Sequence, residues 1–329
     1  MNYPKVSICV PIYGVEQYIR RCLTSLFEQS YLNLEYIFIN DCTPDDSINI
    51  LIETINQYPQ RKDQVKIINH KINQGLSAAR NTAIQHCSGE FIMWVDPDDY
   101  IDIHTVELAI KKQQETGSDI VSFNTRVFYK NYTIDWITPI YTNPNEMAQY
   151  IIARNAPIIL VARLIRLSLY KNHNLRAEEG VNMSEDYQIS TKLAYYAQKV
   201  STLNQVLYYY DRTNEDAYTF KITINKIEQT WKSFNIVKDF FYDKGELYRQ
   251  ALQKAEIIFV NDAIISCCKN PENDYFYNTI LKQRISLTNK KLWHILPFPK
   301  RIVFYLRNAP IIRKYINISK YIQNLLYKK

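Results

Sequence analysis

The chain has 329 residues, more than a typical single domain, so we expect one large α/β domain with an appended region. Hydrophobic residues make up 47% and charged residues 22%, as in globular proteins, and no apolar run approaches the roughly 20 residues that cross a bilayer. The net charge of +7 comes from the C-terminal region, because twelve Lys or Arg and no acidic residue follow Asp274.

The first 124 residues alternate between apolar runs and helical patterns. One helix is marked by Thr43 as a candidate N-cap and by Pro44 at its first position. Strands that alternate with helices of about 10 to 15 residues predict βαβ units and an α/β fold with a mostly parallel sheet. The runs rich in β-branched residues predict five buried strands, at 5–13, 34–40, 65–69, 90–95 and 119–124.

From residue 125 onward the pattern is less regular. We expect a hairpin over 126–141, a helix that opens with Asn143 and Pro144, a helix over 184–198 and a strand over 206–212. Beyond this region the pattern is helical and carries no chemical motif. We therefore place a domain boundary near residue 220, with a helical region at 221–329.

Carboxylates follow two of the predicted strands. Asp41 comes after the second strand, and Asp96, Asp98, Asp99 and Asp102 crowd the segment after the fourth. Ligands of parallel sheets bind beyond the carboxyl ends of the strands, and hard divalent cations prefer oxygen ligands. An Asp-Pro-Asp sequence is also an ordinary solvated turn, so the residues alone leave both interpretations open.

Three further side chains have both a structural and a functional interpretation. Arg80 opens a helix of small residues, where it would reach a phosphate or form an ordinary ion pair. Glu185 and Asp186 lie in the first turn of a predicted helix, where carboxylates favour the helix dipole and where one of them could act as a base.

Five segments of the chain resemble, in order and spacing, the motifs of the family 2 glycosyltransferases, an inverting family of the GT-A type. The resemblance covers residues 5 to about 215 and implies a Rossmann-like, mostly parallel GT-A sheet flanked by helices, in a catalytic domain at 1–220. Gly14 and Cys42 depart from the commoner residues of the family. The matching segments are VSICVPIYG, EYIFINDCTPDDS, NQGLSAARNTAI, GEFIMWVDPDDYI and SEDYQIS.

The resemblance implies a nucleotide site beside the first two strands. Pro11, Ile12 and Tyr13 would line the pocket for the base, and Asp41 would bond the uracil edge. The segment around Arg212 is similar to a Tyr-Arg region near the diphosphate in the family, although the His often found there is missing. Arg212 is therefore expected to supply a cationic contact.

The resemblance also implies a metal site, with Mn2+ or Mg2+ as cofactor. Asp96 and Asp98 would hold the ribose and the metal-bound diphosphate of the nucleotide sugar. Asp98 and Asp99 would contact the metal, with Asp99 as the firmest candidate, while Asp102 would only cap the next helix. Arg80 would face the diphosphate.

The activity that the resemblance implies is the metal-dependent transfer of a sugar, most simply from a UDP-sugar, with inversion at the anomeric carbon. Asp186 would be the general base that deprotonates the acceptor hydroxyl, with Glu185 as the alternative. The acceptor would be a glycan or a lipid-linked saccharide, in the synthesis of bacterial capsule, exopolysaccharide or lipopolysaccharide.

Other classes of function fit the residues less well. A dehydrogenase or a sugar nucleotidyltransferase would need a Gly-rich phosphate loop after the first strand, and the chain has only six glycines. A non-catalytic module that binds a carbohydrate or a nucleotide stays possible if the base is absent. Hydrolysis of a UDP-sugar would separate an enzyme from such a module.

The basic C-terminal region has two interpretations: helices packed on the catalytic domain, or an amphipathic segment on an anionic bilayer. Nucleic-acid binding would use similar charges, but no recognition motif accompanies them. The six cysteines lack zinc-type spacing, and the first residues show no signal-peptide pattern. We therefore expect a cytoplasmic protein that is peripheral on the inner face of the cytoplasmic membrane.

Overall fold

A computed structural model describes residues 3–214, 217–220 and 222–326 and shows the α/β fold that the alternating pattern predicts. Within these residues one sheet contains nine strands, of which β1, β2 and β4 are buried almost throughout, whereas β7 is largely exposed. The strands are β1 Val6–Ile12, β2 Leu34–Asn40, β3 Val65–Asn69, β4 Phe91–Trp94, β5 Tyr100–Ile101, β6 Ile120–Tyr129, β7 Tyr132–Trp136, β8 Arg163–Arg166 and β9 Val200–Asp211.

Helices separate the strands and make up the C-terminal region. In chain order they are α1 Ile19–Phe27, α2 Ser47–Gln57, α3 Leu76–His86, α4 Thr105–Thr116, α5 Pro144–Ile152, α6 Leu167–Asn172, α7 Glu185–Tyr196, α8 Ile224–Phe241, α9 Glu246–Cys267, α10 Asp274–Phe276, α11 Lys282–Leu287, α12 Phe298–Leu306 and α13 Ala309–Leu326. Among the helices of the described residues, none has the length and apolar character of a membrane span.

The strands follow the order β3-β2-β1-β4-β8-β6-β9-β5, and β7 pairs with β6 as a hairpin. Strands β3, β2, β1 and β4 are parallel to one another, as are β6 and β9, whereas β8 runs antiparallel to both of its neighbours. Every residue of β1 is buried, as expected for a parallel strand that is covered on both faces.

This topology brings the ends of β1, β2 and β4 to one edge of the sheet. Ile12 pairs with Asn40, so Asp41 follows directly at that edge. Cys9 pairs with Trp94, so the segment that begins at Asp96 emerges beside it. The prediction that these carboxylates lie at the carboxyl ends of neighbouring strands is confirmed.

Two local features differ from the sequence-based expectation. Helix α2 begins at Ser47 rather than directly after Thr43, because the Thr43 hydroxyl accepts the N–H of Gly14 (2.9 Å) and donates to Asp45 (2.6 Å) instead of capping the helix. Strand β8 was not predicted, since it has four residues and two of them are arginines.

The chain divides into two compact units. One contains residues 1–151 and 155–217, and the other contains residues 152–154 and 218–329. The second unit has its own apolar core, in which Trp231, Phe234 and Phe241 of α8 are buried together with Phe259 of α9. The assignment of residues 1–220 as the catalytic domain and 221–329 as a helical region stays a prediction.

A buried carboxylate ties the amino ends of the parallel strands together. Glu35 on β2 is 2% exposed, accepts hydrogen bonds from Ser7 (2.6 Å) and Ser88, and lies 3.1 Å from the ammonium groups of both Lys5 and Lys66. Burial opposes ionisation, but these bonds together outweigh it and hold the pKa of Glu35 well below its usual range.

We expect Glu35→Gln to lower the free energy of unfolding by about 2 kcal/mol at neutral pH. Because the pKa of Glu35 is depressed in the folded state, its contribution is present above the unfolded pKa of about 4.3 and is lost as the pH falls further. Urea titrations at pH 7 and pH 3 should therefore show a smaller difference at pH 3. Glu53→Gln, at an exposed ion pair with Arg20, is the control with little effect.

Candidate active site

Two aspartates at the end of β4 form the open part of the site. Asp96 is partly exposed, and its backbone N–H donates to the hydroxyl of Tyr208 (3.2 Å). Burial raises the pKa of Asp96 to about 6, with Asp186 and Asp98 adding to the effect and Arg80 opposing it. Burial likewise raises the pKa of Asp98, against a hydrogen bond from Asn214 (3.0 Å).

Asp99 has a structural role in this site. It is 0% exposed, and its two carboxylate oxygens accept the hydroxyl of Tyr208 (2.6 Å) and the N–H of Asp211 (2.8 Å). Burial, followed by the charges of Asp98 and Asp96, raises its pKa well above the ordinary value. Its carboxyl group thus joins the Asp-Pro-Asp turn to β9, and the expected role of Asp99 as the firmest metal ligand stays a prediction.

Arg80 of α3 lies at the centre of three carboxylates. Its guanidinium nitrogens are 3.4 Å from Asp96, 3.4 Å from Glu185 and 3.3 Å from Asp186, and the side chain is 3% exposed. Burial lowers the pKa of Arg80, but the three carboxylates outweigh burial and raise it. Arg80 therefore faces protein carboxylates, whereas the family resemblance placed it towards the diphosphate of the substrate.

The guanidinium also rests over the ring of Trp94, 5.2 Å from its centroid. Within the described residues, Nε and Nη1 of Arg80 and Oδ1 of Asp186 are buried without a hydrogen-bond partner. One long hydrogen bond, from Nη2 of Arg80 to Asp96 (3.4 Å), and electrostatic attraction at 3.3 to 3.4 Å thus hold this group together. Unpaired buried polar atoms of this kind are rare in native proteins, and a catalytic role is one of the explanations for them.

Glu185 and Asp186 begin helix α7 but differ in accessibility. Glu185 is buried, and burial together with the neighbouring charge of Asp186 raises its pKa well above the ordinary value, against the pull of Arg80. The side chain of Asp186 is 17% exposed. Of the two candidates for the general base, Asp186 is therefore the carboxylate that a substrate hydroxyl can approach.

The start of α7 is held in place by α3. The side chain of Asn81 bonds both the carbonyl (2.9 Å) and the N–H (3.0 Å) of Ala177, and the N–H of Ser77 donates to Asn182 (3.0 Å). Gly75 leaves room for this contact, because a Cβ at its φ of +86° would clash with Asn182. The Asn-x-Gly-x-x-x-Ala-Arg-Asn motif thus positions the segment that leads to Asp186.

Asp41 makes its contacts with the protein. It is buried and accepts the N–H groups of Gln74 (2.8 Å) and Gly75 (2.7 Å), and it lies 2.7 Å from Nδ1 of His70. These bonds fix the loop that enters α3 and leave the contact with a uracil edge as a prediction.

The expected base pocket has one exposed ring. Pro11 and Ile12 are buried in β1, whereas Tyr13 is 50% exposed at the edge of the sheet. Tyr13 is therefore the residue of this group whose ring a base could contact directly.

Two arginines lie on the β9 side of the site. Arg212 is exposed and lies over the rings of Tyr129 and Tyr210, at 5.7 and 5.9 Å. Arg21 of α1 donates to the carbonyl of Asp98 (2.9 Å) and to the carboxylate of Asp211 (2.6 Å). Sequence reasoning did not identify Arg21, because a single arginine in an amphipathic helix is typical of an ordinary surface position.

The donor set fits a hard divalent cation that completes its shell with phosphates. In the described part of the chain, no group of three or more His, Cys, Asp or Glu side chains is arranged to hold a metal alone. Asp96 and Asp98 would supply oxygen ligands, and a cation would offset the burial and the neighbouring carboxylates that raise the pKa of both. Mg2+ and similar ions commonly bind through one or two carboxylates together with substrate phosphates.

Comparison with known proteins assigns the family. Residues 7–170 match the model described as "Glycosyl transferase family 2", and the chain belongs to this family. It is 32% identical over 226 residues to the uncharacterized glycosyltransferase EpsJ of Bacillus subtilis, which covers 66% of this chain and 63% of EpsJ. The chain thus spans less than two thirds of the length of EpsJ, and 30% of the length of GlyA of Streptococcus pneumoniae.

Solved structures show the same fold. Residues 1–349 of TarS from S. aureus, in complex with UDP-GlcNAc, superpose with a TM-score of 0.71 at 20% identity, over 97% of this chain and 92% of that one. The mannosyltransferase PcManGT from Pyrobaculum calidifontis, in complex with GDP-Man and Mn2+, gives a TM-score of 0.54 at 16% identity, over 100% and 89%. The expected GT-A fold is confirmed by the likeness to TarS.

We expect Asp99→Ala to lower the free energy of unfolding by about 2 to 4 kcal/mol, since it leaves the Tyr208 hydroxyl and the Asp211 N–H without their buried acceptor. Asp98→Ala is the matched control and should cost less than half as much, because Asp98 is less buried and accepts one side-chain bond. Urea titration measures both values. Equal costs would contradict the structural role of Asp99.

Proposed function

We propose that this protein is a metal-dependent inverting glycosyltransferase that moves a sugar from a UDP-sugar to a hydroxyl of a glycan or lipid-linked acceptor. The observation that carries the proposal is the shared contact with Arg80. The carboxylate Asp96, suited to a metal-bound diphosphate, and Asp186, suited to act as base, both lie within 3.4 Å of one buried cation. The carboxylate for the donor diphosphate and the carboxylate for the acceptor hydroxyl would thus both lie beside Arg80.

On the donor side, Asp96 and Asp98 would hold a Mn2+ or Mg2+ ion together with the diphosphate. A bound cation would neutralise the charge that develops on the departing diphosphate. The ring of Tyr13 would contact the base, while Asp41 keeps the loop at 70–75 in place beneath it. Arg21, bonded to the carbonyl of Asp98, would keep the metal-binding turn in position.

On the acceptor side, Asp186 would accept the proton of the attacking hydroxyl. Arg80, 3.3 Å away, would hold this carboxylate in position. Glu185 is less suited to act as base, because its side chain is buried and out of reach of an acceptor hydroxyl. Attack from the face opposite the diphosphate would invert the anomeric configuration.

The relatives support the proposed donor and setting. TarS is crystallised with UDP-GlcNAc, and PcManGT with GDP-Man and Mn2+, so both a UDP-sugar and a divalent cation occur on this fold. Another relative is named as a poly(ribitol-phosphate) beta-glucosyltransferase, an enzyme that acts on a polymer. We infer a role at the cytoplasmic face of the membrane in the synthesis of capsule, exopolysaccharide or lipopolysaccharide.

The test is a panel of UDP- and GDP-sugars with Mn2+ or Mg2+, scored by released nucleotide. We expect the wild type to respond to a UDP-sugar and Asp186→Asn to lose about 10²- to 10⁴-fold in turnover while it still binds UDP, since the general base is removed. Glu185→Gln is the matched control and should retain activity, because the buried Glu185 side chain does not reach the acceptor hydroxyl. Release from GDP-sugars alone would overturn the UDP donor, and wild-type turnover of Asp186→Asn would overturn the base.

The C-terminal helices support a peripheral contact with an anionic membrane. Val303, Phe304 and Ile312 are buried in the second unit, whereas Phe298 and Tyr305 of α12 are 67% and 65% exposed among basic residues. Each cation near an anionic bilayer contributes about 1 kcal/mol. The protein should therefore sediment with phosphatidylglycerol vesicles and be released by high salt, and equal binding to neutral phosphatidylcholine vesicles would contradict the proposal.

A further inference from the structure

The hairpin β6–β7 and strand β9 present a row of aromatic side chains on one face. In the sheet register, Trp136 and Tyr208 both pair with Thr125, Tyr210 pairs with Val127, and Tyr132 pairs with Tyr129. Side chains of paired residues point to the same side of a sheet, and side chains two residues apart share a face. We call the set Tyr129, Tyr132, Trp136 and Tyr210 the aromatic face.

The aromatic face is continuous with the candidate active site. Tyr208 lies on the same side of β9 and bonds both Asp99 and the N–H of Asp96. Tyr210 is the next residue on that side, about 7 Å further along the strand. Burial and the charges of the aspartates, Asp99 first, raise the pKa of Tyr210 against the effect of Arg212, so its hydroxyl lies within the field of the cluster.

The rings of the aromatic face support one another and still reach solvent. Tyr129 stacks on Tyr132 with centroids 4.5 Å apart, and Trp136 meets Tyr210 edge to face at 5.7 Å. Tyr132 is 52% exposed, and the other three rings are half-buried. Arg212 lies over two of the rings and is itself exposed, so its guanidinium borders the face with hydrogen-bond donors.

The opposite face of the same strands carries a salt bridge and a second group of rings. There Arg126 forms a two-pronged salt bridge with Asp135 at 2.8 and 2.9 Å, and Tyr209 stacks on Tyr100 at 4.7 Å. Partly exposed rings therefore occur on both faces. The aromatic face is the one that continues to Tyr208, which bonds Asp99 and the backbone N–H of Asp96.

We propose that the aromatic face binds the saccharide chain of the acceptor, beyond the sugar that is modified. The C–H faces of pyranose rings pack on aromatic rings, while hydroxyls at the ring edges pair with groups such as the tyrosine hydroxyls and Arg212. Because the rings brace one another, binding costs little side-chain ordering. The inference rests on the proposed function, which requires an acceptor chain to leave the site along some surface.

The test measures binding of defined sugars by saturation-transfer NMR and calorimetry, with cellotetraose, chitotetraose and their monosaccharides as probes. We expect a tetrasaccharide to bind more tightly than its monosaccharide. Trp136→Ala should weaken binding about tenfold, and Trp136→Phe should restore most of it. Thr133→Ala, on the opposite face of the same strand, is the matched control with wild-type affinity. Thermal melts of each variant check the fold.

Absence of tetrasaccharide binding, or equal affinity of Trp136→Ala and wild type, would overturn the inference. Self-association that Trp136→Ala abolishes, without any effect on sugars, would also overturn it and make the face a contact between copies of this chain. Hydrolysis of a UDP-sugar by the wild type, without acceptor, tests the proposed function separately. Hydrolysis without tetrasaccharide binding refutes the aromatic face alone, whereas sugar binding without hydrolysis of any nucleotide sugar refutes the proposed function alone.

Discussion

The attraction between the buried guanidinium of Arg80 and the carboxylates of Asp96, Glu185 and Asp186 is the interaction on which the candidate site depends. A buried cation is tolerated only when opposite charges compensate it, and three like charges in one place are tolerated only around a cation. The guanidinium therefore requires the carboxylates, and the carboxylates require the guanidinium. Removing Arg80 would leave carboxylates from β4 and α7 facing one another in a poorly solvated space.

The surrounding structure fixes where this cation lies. Asp41 holds the loop before α3, and Gly75 allows that loop to pass close to Asn182. Asn81 then binds Ala177, so the same helix that carries Arg80 also positions the segment before Asp186. Several motif residues thus hold other segments in position, and few carboxylates are left that could face a substrate.

The sequence was a good guide to the strands of the parallel half and to the edge where the carboxylates gather. It could not establish which of Asp98 and Asp99 is exposed, because the turn at Pro97 interrupts the strand alternation that would say which side chain faces the crevice. Asp99 is bonded by Tyr208 and Asp211, which are more than 100 residues away in the chain and could not be identified as its partners from the sequence. Strand β8 was missed for a related reason: it is stabilised by pairing with β4 and β6.

A double-mutant cycle on the free energy of unfolding tests the central role of Arg80 most directly. Arg80→Gln, Asp186→Asn and the double variant would be compared with the wild type by urea titration. The structure predicts that Arg80→Gln alone costs about 3 to 5 kcal/mol and that the double variant costs at least about 1 kcal/mol less than the sum of the single changes. Additivity within about 0.5 kcal/mol would contradict the account, because it would show that the two side chains stabilise the protein independently.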